Sequence, residues 1–195
     1  MGGALSDEAL DRIFRAARSY NGYLDKPVSE AQLRAIWDLM KMGPTSANQS
    51  PARIVWCVSK TAKETLAGFA SAKNAPKILN APVTAIIGYD IDFHEKLPFL
   101  FPHVDARPWF ADPVARERHA FRNGSLQGAY FIIAARALGL DTGPMSGFDN
   151  DKVDEAFFAG TTVRSNFIST LGYGDPATIF ERLPRFPFED ANRIV

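Results

Sequence analysis

Residues 115–138 form the longest helical pattern in the chain, and its second half, Ala129-Tyr130-Phe131-Ile132-Ile133-Ala134-Ala135, is apolar on every side. A helix without a polar face has to lie in the centre of a protein or against another subunit. Gly139 stops it. The remaining elements have to be laid around that rod. At 195 residues the chain is long enough for one real core. It has no repeat, no low-complexity tract and no dividing linker, so a single domain over residues 1–195 is expected.

Around the rod the pattern reads helix, helix, strand, helix, strand, excursion, long helix, short strand, helix, strand, tail. Residues 6–18 place Leu10, Ile13, Phe14 and Ala17 on one helical face, with Ser6 as cap. In residues 29–42, Ser29 and Gln32 form a capping box ahead of the stripe Leu33, Ile36, Trp37 and Met40. Residues 53–58 read as a central strand, and Thr61 with Glu64 as the cap of the next helix. Asn74-Ala75-Pro76-Lys77 reads as a polar interruption, and residues 83–89 and 165–173 as buried strands. Leu140 to Phe148 reads as a short extended run, with Asp149 capping a helix behind it. Helices interspersed among few strands imply a sheet covered on both faces.

Two segments escape regular periodicity. From about residue 90 to 113, Phe93, Leu97, Phe99, Leu100, Phe101, Trp109 and Phe110 alternate with His94, His103, Asp105, Arg107 and prolines. So many aromatics imply a folded excursion or lid over the core. The tail from 177 to 195 is too proline-rich for a helix over most of its length, and reads as extended across a surface or a partner subunit.

Charge and composition exclude several functions. Lys+Arg and Asp+Glu both total 22, which argues against a nucleic-acid or anionic-membrane binder. Cys57 is the one cysteine and sits in an apolar run, as expected of a buried thiol in a reducing cytoplasm. No signal-peptide core and no membrane-length apolar run is present. Met1-Gly2 opens a loose acylation pattern, but Ser6 is better read as a helix cap. The three histidines lie far apart in sequence, so no metal site is expected. There is no phosphate-cradling Gly-x-x-x-x-Gly-Lys loop and no Gly-x-Gly-x-x-Gly after a strand.

What remains is a set of turns rich in basic groups, amides or glycine: Arg18-Ser19, Pro44 to Ser50, Asn74 with Lys77, Pro144 to Gly147, and Arg182 with Arg185. Arginines suit a phosphate, and side-chain amides pair with heteroaromatic ring edges. A glycine turn lets backbone N–H groups approach a ring. These residue types suit phosphorylated cofactors in general and do not single out one.

Taken in order, the turns resemble the nitroreductase superfamily of FMN enzymes, from about Leu10 to Asp190. Gly43-Pro44-Thr45-Ser46-Ala47-Asn48-Gln49-Ser50-Pro51 is similar to that family's Pro-Ser-Ser-x-Asn-x-Gln-Pro segment, with the glutamine and serine interchanged. Leu138 to Phe148 resembles the strand whose backbone amides face flavin N5. The resemblance implies an α+β, three-layer α-β-α fold, with a small mixed or antiparallel sheet and an extended C-terminal tail. It implies that Arg18, Ser19 and Arg185, with Arg182, hold the FMN phosphate. Asn74 and Lys77 would address the ring and its pyrimidine edge. Pro144 would pack on the ring face, with Ser146 and Gly147 at N5. Thr45, Ser46 and Asn48 would come from the other subunit of a homodimer with shared flavin sites. One departure stands out: Tyr20 and Asn21 occupy the place of the family's second basic residue after Arg-Ser.

The resemblance also implies NADH or NADPH as reductant and a small aldehyde, quinone or nitro compound as acceptor. The runs Asn21-Gly22, Gly43 to Asn48, Ser50 to Val55, Leu97 to Arg107 and Gly172 to Asp175 together resemble the branch that reduces malonic semialdehyde to 3-hydroxypropanoate in pyrimidine degradation. For such an acceptor, His103 is the candidate proton donor and Arg107 the candidate carboxylate partner. A broad quinone or nitroaromatic reductase and a non-catalytic flavin-binding protein are the alternatives.

Overall fold

The computed structural model describes residues 3–195, which places Gly2 and its acylation pattern outside the described residues. Four strands form an antiparallel sheet: β1 (Ala52–Cys57), β2 (Val83–Asp90), β3 (Asp141–Met145) and β4 (Val163–Gly172), in the order β1-β2-β4-β3. β2 is buried along its whole length, because both of its faces are covered. Its alternation shows how. Val83, Ala85 and Ile87 join one core, against α2 (Glu30–Met40) and α6 (Pro113–Ala137). Ile86 points the other way, toward α3 (Lys60–Gly68), α4 (Ala75–Asn80) and α7 (Asn150–Phe157).

The long helix gets close to the sheet because it carries glycine at the contact. A Cβ on Gly124 would lie 2.8 Å from Tyr89, and one on Gly128 would lie 2.5 Å from the Phe167 ring. One side of α6 is therefore core, through Phe131, Ala134 and Ala135. Its other side is not enclosed within the chain: Phe121, Leu126 and Tyr130 are exposed.

Several boundaries differ from expectation, each for a physical reason. β1 is an edge strand, not a central one, because only β2 pairs with it. The cap of α3 is Ser59, whose hydroxyl accepts from the Ala62 N–H at 3.2 Å, and Thr61 lies inside the helix. The 74–77 stretch opens α4, because proline is tolerated in a first helical turn. The first helix, α1 (Asp7–Leu10), widens into a π-turn over Asp11–Arg15 and stops short of Arg18. The carbonyls of Arg15 and Ala17 beyond it accept from Arg182 at 2.8 and 3.0 Å.

The excursion is folded. Phe93, Leu97, Ala106 and Phe110 build a third apolar cluster with Tyr89 and Ala120, and it includes the short helix α5 (Leu97–Leu100). The Phe93 and Phe110 rings meet edge to face at 5.0 Å. The tail is exposed and mostly extended, broken by α8 (Phe188–Ala191).

The N-terminal segment reaches the sheet at its β3 edge, where Ser19 bridges Thr142 and the Tyr20 N–H donates to the Thr142 carbonyl at 3.1 Å. Gly143 makes this close approach possible: a Cβ there would lie 2.4 Å from both the Tyr20 carbonyl oxygen and Thr170 Oγ1. Gly143→Ala should therefore lower unfolding free energy by about 2 kcal/mol, as an overpacked core position. Urea denaturation of the two proteins side by side measures it.

Candidate functional site

Residues 17–21, the last turn of α6 and the tail enclose a cleft of about 490 Å³. Four arginines line it: Arg18, Arg136, Arg182 and Arg185, with Ser19, Asn21 and one acid, Glu181. The segments are tied together by ordinary chemistry. The Asn21 amide donates to the Thr178 carbonyl at 2.9 Å, and the Gly22 N–H donates to Thr178 Oγ1 at 3.0 Å. Arg18 donates to the Phe180 carbonyl. Arg185 donates to the carbonyls of Leu183 and Pro184. The four sequence candidates Arg18, Ser19, Arg182 and Arg185 thus share one basic cleft, which suits a phosphoryl or carboxylate group.

A second cavity, about 360 Å³, lies where β3 ends over α6 and is lined by Pro144, Ser146, Ser125, Ala129, Asn166 and Phe167 among others. β3 links the two sites. Ser19 pairs at Thr142, and Ser146 lies four residues further on, roughly 13 Å at strand spacing. Beside Ser146, the Asn74 amide and the Ser71 N–H both donate to the Gly147 carbonyl, at 3.2 and 2.9 Å. A Cβ on Gly147 would lie 2.8 Å from Asn74 Nδ2, so a side chain there would have to push the Asn74 amide aside. Lys77 stands one turn along α4 from Asn74.

The 44–51 loop is the strained part of the molecule. Ala47, Asn48 and Ser50 hold φ of 49°, 50° and 41°, a region that side chains disfavour. α6 compensates with two buried amides that the sequence reading did not single out. Asn123 Oδ1 accepts from the Ser46 N–H at 2.9 Å, and its amide donates to Gln49 Oε1 at 3.0 Å. Gln127 Oε1 accepts from the Ala52 N–H at 2.9 Å. Two amide side chains adjoining Gly124 and Gly128 on the core-facing side of the helix were the signal available. Asn48 donates to the Leu100 carbonyl at 2.8 Å and so joins the loop to the excursion.

Within one chain the structure does not bring Thr45, Ser46 and Asn48 to the arginine cleft. They sit by Asn123, thirteen residues up α6 from Arg136, or roughly 20 Å along a rigid helix. His103 and Arg107 line neither cavity. His103 is exposed, its ring meeting Phe101 edge-on at 5.4 Å. Arg107 grips Asp105 through two bonds of 2.8 Å, and those bonds hold the Asp105 carboxyl down at about 2.

Arg136 is the other residue the sequence reading missed. It is a lone arginine in the last turn of an apolar helix, just before Gly139. Tyr20 and Asn21, by contrast, add no charge to the cleft: Tyr20 packs its ring over Gly174 and Asn21 is bonded to Thr178. The thiol of Cys57 is buried and pushed up to about 11, which makes it inert.

Known proteins resemble this chain in sequence and in fold. The model of the nitroreductase family matches residues 14–173. A Stenotrophomonas maltophilia protein provisionally named an NADH dehydrogenase/NAD(P)H nitroreductase is 61% identical over 195 residues, covering 100% of both chains. A Burkholderia lata protein with the same provisional name is 61% identical over 191 residues, covering 97% of this chain and 98% of its own. Among solved structures, a provisionally assigned nitroreductase from Exiguobacterium sibiricum in complex with FMN superposes with a TM-score of 0.87 at 18% identity, over 100% of each chain. CLA-ER, an enone reductase of gut-bacterial fatty acid saturation, superposes with a TM-score of 0.84 at 16% identity, covering 98% of this chain and 100% of its own.

The loop anchor is directly testable. Asn123→Ala strands the Ser46 N–H and the buried Gln49 amide, and should destabilise the fold by about 2 kcal/mol. Urea denaturation gives the loss, and hydrogen exchange should show faster opening of the 46–50 amides than of β2.

Proposed function

The chain belongs to the nitroreductase family, and on that premise we propose that it is an FMN-dependent oxidoreductase that passes reducing equivalents from NADH or NADPH to a small acceptor. The observation that carries this reading is the basic cleft at one end of β3 and the cavity lined by Pro144 and Ser146 at the other. The residues fit the cofactor. The cleft offers four guanidinium groups, and the buried Nε of Arg136 has no partner. At the other end, Gly147 leaves the backbone open where a side chain would collide with Asn74.

Arg18, Ser19, Arg182 and Arg185 would hold the phosphate. Pro144 would pack on the ring face, with the Ser146 and Gly147 backbone at N5. Asn74 and Lys77 would face the pyrimidine edge, where a lysine offsets negative charge. Bound there, FMN supplies two-electron exchange between a nicotinamide and an acceptor. The protein's part is to position, to exclude water and to stabilise charge, and no side-chain nucleophile is needed.

A homodimer follows from the same reading. The Thr45–Ser46–Asn48 loop lies far from its own chain's cleft, so a second copy would have to supply it. Phe121, Leu126 and Tyr130 on α6, Leu39 on the neighbouring helix α2 and Met42 just beyond its end are exposed apolar groups that such a partner would cover. The exposed tail, with Phe180, Leu183 and Phe186, would lie across the partner. One domain, a cytoplasmic setting and no nucleic-acid or membrane partner belong to the same proposal. Among the described residues, no helix is long and apolar enough to cross a membrane.

For the acceptor we propose malonic semialdehyde, reduced to 3-hydroxypropanoate in pyrimidine degradation. The 97–107 run supports this, with Arg107 to pair the carboxylate and His103 exposed to deliver a proton. A broader quinone or nitroaromatic reductase is the second reading, favoured by Asp105, which already neutralises Arg107.

A visible spectrum with added FMN, before and after anaerobic NADH, tests the proposal. Bound flavin should bleach and recover with malonic semialdehyde. Recovery only with quinones or nitroaromatics selects the second reading, and no bleaching selects a non-catalytic flavin binder. Arg107→Ala should raise KM for the acidic aldehyde about tenfold more than for a neutral quinone. Equal effects in steady-state assays would remove the carboxylate role.

A further inference from the structure

The cations of the arginine cleft differ in how firmly they are held. Arg182 and Arg185 ride on the exposed tail, as does the lining's acid, Glu181. Arg136 rides on the final turn of α6, whose preceding turns are locked into the core through Phe131, Ala134 and Ala135. Its side chain is half-buried, and Nη1 donates to the Ile13 carbonyl at 3.1 Å. Its own carbonyl accepts from Arg12 Nε at 2.9 Å, which closes the helix end. Nε of Arg136 is buried and has no partner. Of the buried side-chain atoms without a partner among the described residues, it alone belongs to a residue that lines the cleft.

Burial holds the Arg136 guanidinium below its ordinary pKa; Asp141 offsets part of this and the charge of Arg182 adds to it. A buried cation near another cation gains from any anion that enters beside it. A guanidinium already held on a helix packed into the core loses little further freedom on binding, so its contact is worth more than one from an arginine on the exposed tail.

We propose that Arg136 is the anchoring phosphate-binding residue of the cleft, the fixed cation around which the tail arginines assemble. This rests on the reading of the cleft as the site of a flavin phosphate. Arg136 would discriminate the phosphorylated cofactor from its dephosphorylated form and would have no part in holding the ring.

The test is a fluorescence titration of the protein, freed of flavin, with FMN and separately with riboflavin. Arg136→Ala should weaken FMN by about tenfold or more while leaving riboflavin unchanged. Arg136→Lys should recover part of the FMN affinity, since it keeps the charge and loses the planar fork. Arg136→Gln, of similar length but uncharged, carries the same test should the alanine variant fail to fold. An unchanged FMN affinity, or equal weakening of both flavins, would overturn the proposal and leave Arg136 a purely structural tie to Ile13. Unaltered protein that binds neither flavin would instead overturn the reading of the cleft itself, and this inference with it.

Discussion

The structure depends on how closely α6 lies against the sheet. Gly124 and Gly128 remove the side chains that would hold it off Tyr89 and Phe167. At that distance the helix can use its core-facing side for more than packing. Asn123 reaches the 44–51 loop and Gln127 the first residue of β1, while Ser125 and Ala129 wall the second cavity and Arg136 ends in the arginine cleft. One rigid rod therefore sets the distances between three parts of the candidate site. A looser contact would move all three at once.

The loop at 44–51 shows what that rigidity sustains. Three consecutive or near-consecutive residues with positive φ, none of them glycine, are each unfavourable by an amount of order 1 kcal/mol or more. Such a conformation persists only where surrounding bonds over-determine it. The Asn123–Gln49 pair, the Gln127 contact to Ala52 and the Thr45 hydroxyl to the Ser50 N–H supply those bonds. Held this way, the loop keeps Ser46 and Asn48 at the surface, with the Thr45 hydroxyl turned back onto the Ser50 N–H and the Asn48 amide on the Leu100 carbonyl.

The arginine cleft follows a different logic. It is assembled from the N-terminal segment, the end of α6 and the tail, far apart in sequence and joined through Thr178, Asn21 and the Thr142 edge. It combines Arg136 on the core-packed helix, Arg18 on the N-terminal segment and two arginines, Arg182 and Arg185, on the exposed tail.

Local chemistry was legible in the sequence wherever the deciding atoms are close along the chain. The Ser29–Gln32 capping box, the Asp149 cap and the apolar run of β2 lie where the sequence places them, because caps and buried strands are decided by neighbours a few residues apart. The turns that hold Arg18-Ser19 and Arg182-Arg185 could be found by residue type, although not that they would share one cleft. Tertiary structure alone decided that β1 is an edge strand, since an apolar run looks the same whether one strand or two pair with it. It decided that Ser59 caps α3 ahead of Thr61, a choice set by where the chain turns off β1. It decided the use of Asn123, Gln127 and Arg136, whose partners lie 75 or more residues away in several cases and leave no local trace. The sequence by itself determined the elements and the chemical groups available; packing determined which of those groups meet, because that depends on long-range distances set by the close contact between α6 and the sheet.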